Sequence, residues 1–222
     1  GLMVGMGGAT RYSILRGEGR EDEANQVFTH AAGMAALLGI LFTAAGLLLC
    51  GCQTRHLIPE EVLQLPTHAQ VYTAYNLWYK DPDNLTPENI QQGKLLPFGT
   101  EVQIVSMTDS AIRFKANGQL FTIRYDQSAT LHPVEDFARQ LFTTAIAVET
   151  AAGADPARFE KMRRGVLEKG MSRKQVVITY GPPSRIRTPN PLSDTWIYWA
   201  DRVKSKRVIF KNDKVLTELV LD

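Results

Sequence analysis

Hydrophobic and polar positions follow different rhythms along the chain. From Ala31 to Cys52 there is no charged residue, and Ala35–Leu49 is almost wholly apolar. This core has the length of a signal-peptide core, while the whole stretch is also long enough for a bilayer-spanning helix, which needs about 20 apolar residues. Between residues 67 and 150 the rhythm changes to a period of two. Thr67–Tyr79 predicts a strand-rich segment and Lys80–Pro97 a polar loop, after which Thr100–Met107, Ser110–Ala116 and Gln119–Tyr125 predict three short strands. Ile112 and Phe114 alternate with Arg113 and Lys115, and Phe121, Ile123 and Tyr125 with Thr122 and Arg124, so each strand buries one face. Asn117-Gly118 is the favoured two-residue hairpin turn. Pro133 then opens a helix whose Phe137, Leu141, Ala145 and Val148 form one stripe able to cover the sheet. The expectation is a small, curled, antiparallel SH3-like β module with a packed helix, entered through the turn Pro97-Phe98-Gly99-Thr100.

The last third of the chain has its own pattern. Arg158–Lys169 reads as a basic helix ended by Gly170. Ser172 and Gln175 have the spacing of a capping box, so a second short helix starts there, and Gly181-Pro182-Pro183 stops it with a left-handed cap followed by proline. Thr195–Ala200, Arg202–Phe210 and Lys214–Val220 then read as strands, with Asn212-Asp213 as the turn between the last two. The order is ααβββ. As a set of caps, turns and strands it predicts a module that folds by itself.

These residues resemble the SmpA/OmlA (BamE-like) family of outer-membrane lipoproteins. The resemblance rests on Gly170-Met171-Ser172, Gly181-Pro182-Pro183, the aromatic strand Trp196-Ile197-Tyr198 and the final hairpin Val208-Ile209-Phe210, Asn212-Asp213-Lys214-Val215, and covers residues 156–221. It implies a compact ααβββ fold, also seen in β-lactamase-inhibitor proteins, and a scaffolding role without catalysis. The chain departs from that family's small members by placing a further module between anchor and fold.

Leu49-Cys50-Gly51-Cys52 closes the apolar run in the layout of a bacterial lipobox, with small Gly51 at the cleavage position and Cys52 as the residue to be lipidated. Cys50 is the poorer site, because Leu49 would then occupy the cleavage position. An uncleaved membrane helix and a cleaved secretory signal are the alternatives; a start at Val27 or Met34 would give a leader of ordinary length. Cleavage before Cys52 removes Cys50 and leaves no disulfide in the mature protein. Gln53 after the anchor implies sorting to the outer membrane, by resemblance to enteric lipoproteins. The expected division is a leader over residues 1–51, a lipidated tether over 52–66, the β module over 67–150 and the ααβββ module over 154–222.

Charge supports the division into modules. Residues 53–155 carry seven Lys/Arg against twelve Asp/Glu, net −5, and residues 156–222 carry fifteen against seven, net +8. Ala151–Pro156 is the expected hinge. Sites for chemistry are scarce. His56, His68 and His132 are not spaced to share a helical face or a strand pair, and neither a Gly-x-Ser-x-Gly elbow nor a phosphate-cradling Gly-x-x-x-x-Gly-Lys occurs. The expectation is therefore a non-enzyme with no metal and no cofactor.

Binding residues are sought among aromatic and basic side chains. Strand alternation sends either Trp196 and Tyr198, or Ile197 and Trp199, outward. Arg185, Arg187, Lys204, Lys206 and Arg207 are expected around the same sheet, facing an acidic partner of the envelope or anionic headgroups; nucleic acid is not an expected partner of an exported protein. A basic edge strand is also an ordinary device against aggregation. The expected function is that of a lipid-anchored periplasmic adaptor at the outer membrane, docking on an outer-membrane or envelope protein complex. The alternative is an envelope inhibitor or cell-wall module in which Trp78 and Tyr79, beside the polar loop, hold a peptide or glycan.

Overall fold

In the computed structural model of the 222-residue chain, the described residues are 2–49, 54–66, 69–130, 132–144, 155–201 and 203–221. The chain is mixed α+β and divides into two units, Gly1–Gln53 and Thr54–Asp222.

The first unit is a helical hairpin, α1 (Leu2–Gly17) and α2 (Glu21–Leu49), packed at Leu15, Ala24 and the Tyr12–Phe28 ring pair. Glu21, Asp22 and Glu23 in the first turn of α2 oppose the positive end of its dipole. The span Glu21–Thr43 has 23 residues, about 35 Å at 1.5 Å per residue, and none of its apolar window is buried. A signal sequence and a membrane helix share these properties. Cys50 and Cys52, on which the lipobox rests, lie outside the described residues.

The second unit starts where a tether was expected. Instead, β1 (His56–Leu57) pairs with β5 (Glu101–Thr108) at Thr108 and Met107, and the one-turn helix α3 (Pro59–Leu63) buries Val62 in the adjoining core. β2 (Val71–Thr73) follows on the same edge of β5, pairing at Val102 and Glu101. β3 (Leu77–Tyr79) pairs with β4 (Lys94–Leu96), a strand inside the expected loop. β5, β6 (Ala111–Ala116) and β7 (Gln119–Arg124) form the expected meander, with Asn117 and Gly118 both at positive φ in the tight turn. After α4 (Gln127–Thr130), α5 (Val134–Leu141) lays Phe137, Ala138 and Leu141 on the sheet. It stops earlier than its stripe suggested, because Phe142 becomes β8 (Phe142–Thr143) and pairs with β2; Ala145 and Val148 are outside the described residues. The strand order is β7-β6-β5-β2-β8, with β1 beside β5.

The basic helix is α6 (Pro156–Arg163), shorter than expected and N-capped by Asp155, whose carboxylate accepts from Ala157 and Arg158 N–H. In α7 (Arg173–Tyr180) the capping box forms as the spacing predicts: Ser172 accepts from Gln175 N–H and the Gln175 side chain from Ser172 N–H. Gly181 ends it at φ 83°, ψ 179°, a conformation essentially confined to glycine, and not the left-handed cap expected. β9 (Thr195–Trp199), β10 (Ser205–Lys211) and β11 (Lys214–Leu221) form an antiparallel sheet in the order β11-β10-β9. Asn212 and Asp213, at φ 51° and 56°, make its turn. Arg173 fastens this sheet to its loop. Its Nε donates to Asp213 Oδ1 at 2.7 Å, Nη1 to Ser193 O at 2.7 Å, and the guanidinium lies 4.3 Å from the Phe210 ring centroid.

Two apolar clusters result, one under the larger sheet and one between α6, α7 and β9–β11. The second is not closed by its own segment. Phe98, 1% exposed, comes from the Pro97–Thr100 turn and meets Phe159 edge-on at 5.0 Å, while Trp78 meets Tyr180 edge-on at 5.8 Å. A Cβ on Gly165 (φ +71°) would lie 2.6 Å from the Trp78 ring, so the chain passes there only as glycine. Asn76, fully buried, donates from Nδ2 to Met162 O (2.7 Å) and Thr179 O (3.0 Å) and accepts at Oδ1 from Phe98 N–H (2.8 Å). Asn89 donates to Tyr180 O at 3.0 Å.

Candidate docking face

Period two decides what the C-terminal sheet shows. Trp196 and Tyr198 in β9 and Val208 and Phe210 in β10 are buried against the helices. Trp196 and Tyr198 are therefore core and not partner-binding residues, a correction with a plain cause: Trp196 Nε1 donates to Pro191 O at 3.0 Å and Tyr198 OH to Gly181 O at 3.1 Å, so each ring carries its polar atom to an internal acceptor. Burial pushes the Tyr198 hydroxyl well above its ordinary value, keeping it a neutral donor.

The opposite face follows from the register. Trp199, Ser205 and Leu221 stand side by side in one row and Ile197, Arg207 and Leu219 in the next, with Ile209 in the third. Leu219 is 44% exposed and Ile197, Trp199, Ile209 and Leu221 are half-buried. Arg187 places its guanidinium 5.2 Å from the Trp199 ring centroid, and Arg207 stands in the middle row. The result is an apolar strip with cationic centres, the composition enriched at the centres of protein interfaces. β11 is the outer strand of this sheet, and its backbone from Leu216 to Leu221 has no strand beyond it among the described residues.

Not all the expected basic residues join this face. Lys206 points to the other side, where its Nζ donates to Tyr180 OH at 3.3 Å and lies 3.5 Å from Glu218. Tyr180 OH in turn donates to Glu218 Oε1 at 3.0 Å, and burial with the Glu218 charge pushes its hydroxyl pKa up. Lys206 is thereby a structural ion-pair partner and not a docking residue. Arg185 lines a crevice of about 70 Å³ with His132, Phe137 and Pro183. Lys204 lies in the β9–β10 turn, which Asp201 holds by accepting from Val203 and Lys204 N–H; these bonds lower the Asp201 pKa. Arg187, Trp199 and Arg207 therefore come together, with Lys204 at the edge.

Strand alternation picked out Trp199 but missed Ile209, Leu219 and Leu221. The signal was present in Val208-Ile209-Phe210, an unbroken apolar run marking a strand apolar on both faces.

Trp78 and Tyr79, both half-buried, line a crevice of about 210 Å³ with Lys80, Asp81, Asn84 and Gln92 of the polar loop, while their rings also pack inward. Trp78 is packed on Gly165 and Tyr180, and Tyr79 meets Phe121 edge-on at 5.1 Å. Among the described residues no group of three His, Cys, Asp or Glu side chains gathers to hold a metal, and His68 lies outside them. No protein-family model, curated protein or solved structure matches the chain.

Proposed function

We propose that the protein is a lipid-anchored adaptor of the bacterial outer membrane, related in its C-terminal part to the SmpA/OmlA lipoproteins, whose residues 54–222 stand in the periplasm and dock on an outer-membrane assembly partner through the outer face of β9–β11. The observation that carries this reading is the strip of half-buried Ile197, Trp199 and Leu221 with exposed Leu219 and Arg207, on a sheet whose other side packs Trp196, Tyr198, Val208 and Phe210 against the helices. In support, the second unit runs α6, α7, β9, β10, β11, the ααβββ order of that family, and its β5–β7 meander suits a small SH3-like module. The role is adaptor and not catalyst; the tyrosines whose hydroxyls are pushed up serve as structural hydrogen-bond donors.

Anchoring is tested by intact mass after extraction from membranes. The expected species begins at Cys52 and carries a diacylglyceryl thioether and an amide-linked acyl chain, enough apolar surface for essentially permanent attachment. A protein that keeps residues 31–51, or one without lipid, refutes the anchor.

Docking is tested by a photo-crosslinking residue in place of Leu219 in native envelopes, with expected adducts to an outer-membrane assembly protein and none from a probe placed at Lys94 on β4. Binding kinetics to the captured partner refine the assignment. Trp199→Ala should speed dissociation about 30-fold, a loss of about 2 kcal/mol at an interface anchor. Arg187→Glu should instead slow association and flatten its salt dependence, since exposed charges act on encounter and are screened beyond about 8 Å. Unchanged kinetics in both variants, with unchanged melting, would remove this face as the docking site.

A further inference from the structure

β1 and β2 both lie antiparallel along one edge of β5, but they do not meet. β1 covers Met107 and Thr108, β2 covers Glu101 and Val102, and between them in the chain lies α3. Gln103–Ser106 consequently have no strand on that edge among the described residues, although β6 pairs with them on the other. The β5–β6 register breaks within this stretch, between Ile104 and Ser106, and Val105 there is 52% exposed. The gap opens on a groove of about 600 Å³ between α3 and β5, floored by Leu63, Leu65, Val102 and Ile104 and rimmed by Glu60 and Glu101. Among its described lining residues there is neither Lys nor Arg.

We infer that this groove is a binding site for an extended, lysine- or arginine-bearing peptide of another protein, which adds a short strand across Gln103–Ser106. Three observations converge. An antiparallel edge presents paired N–H and C=O groups at alternate residues, and a four-residue gap takes about 13 Å of extended chain. Apolar floor and unpaired edge together are the requirements of strand addition, in which main-chain bonds supply affinity and alternate side chains specificity. The two rim carboxylates select the charge of those side chains. The occupant is not the basic Lys204–Arg207 stretch of a second copy, because Ser205–Arg207 is already held in β10 between two strands. This site is independent of the docking face on β9–β11 and stands whether or not that face binds.

The test uses the full chain in a non-ionic detergent and a labelled, end-blocked hexapeptide alternating Lys and Val. Fluorescence anisotropy should show saturable binding, about fivefold weaker for Glu60→Gln/Glu101→Gln and lost for a peptide N-methylated at alternate residues, which keeps the charge but not the donors. Hydrogen exchange should slow at Gln103–Ser106 on binding. Equal affinity for the N-methylated peptide would reduce the interaction to charge alone and overturn the inference. Protection at the β11 edge in place of β5 would overturn it too, as would protection of Gln103–Ser106 that rises with protein concentration without peptide, which would assign the gap to a second copy. The N-methylated peptide is read on the unaltered protein, so the outcome does not depend on the carboxylate variants folding.

Discussion

A polypeptide of residues 154–222 expressed alone should not fold, giving collapsed amide dispersion and no cooperative melting transition. Its local signals are complete: capping box, Asn212-Asp213 turn and three paired strands. What it lacks is the filling of its core. Phe98, in a turn some 60 residues upstream, is 1% exposed inside that cluster, with Tyr72 and Trp78 against it. Removing a buried Phe costs about 3–5 kcal/mol, and a core in a chain of about 70 residues rarely supplies more than that. Asn76 and Asn89 would also leave the carbonyls of Met162, Thr179 and Tyr180. The control is Phe98→Ala in the whole protein, expected to melt lower but still cooperatively. A dispersed spectrum from the isolated fragment would show that the two clusters are energetically separate.

The fate of that fragment marks where the sequence stops being informative. Ser172 and Gln175, Asn117-Gly118 and Asn212-Asp213 act within four residues of themselves, so the sequence legibly specifies them and the structure contains them. The destination of Phe98 depends on packing with Phe159 and Met162, which no local pattern encodes. The segment before Pro66 looks like a tether because it lies between the anchor and the first expected strand and is interrupted by Pro59. It folds because Arg55, His56 and Leu57 find backbone partners some 50 residues away in and beside β5.

The docking face was half legible for the same reason. Alternation separates Trp196 and Tyr198 from Ile197 and Trp199 but is silent on which pair goes inward. That is settled by internal acceptors, Pro191 O and Gly181 O, and by the register with Val208 and Phe210. Lys206 and Arg207 differ by one position and by the whole thickness of the sheet, one tied to Glu218 and the other on the docking strip. A basic cluster counted along a strand is two clusters in space.

Asn76→Asp should be the most damaging near-isosteric change in the protein, and its cost should depend on pH. The Asn76 amide gives two hydrogen bonds, to Met162 O and Thr179 O, and takes one from Phe98 N–H, all without access to water. A carboxylate keeps the acceptor but turns an oxygen toward two carbonyls, leaving both unpaired beside a buried charge. With about 1–3 kcal/mol for each buried group left unsatisfied, the expected loss at neutral pH is about 4 kcal/mol. Burial and the facing carbonyls would raise the folded-state pKa of the new acid above its unfolded value of about 3.9. Between those two values the unfolded chain holds fewer protons than the folded one, so stability falls as pH rises, by up to about 1.4 kcal/mol per unit, and is regained in acid, where the neutral carboxyl can donate one of the lost bonds. Urea melts of the variant and the parent at pH 4 and pH 7.5 give the comparison. A pH-independent difference would mean that water reaches the site and that the two apolar clusters are not sealed together at Asn76.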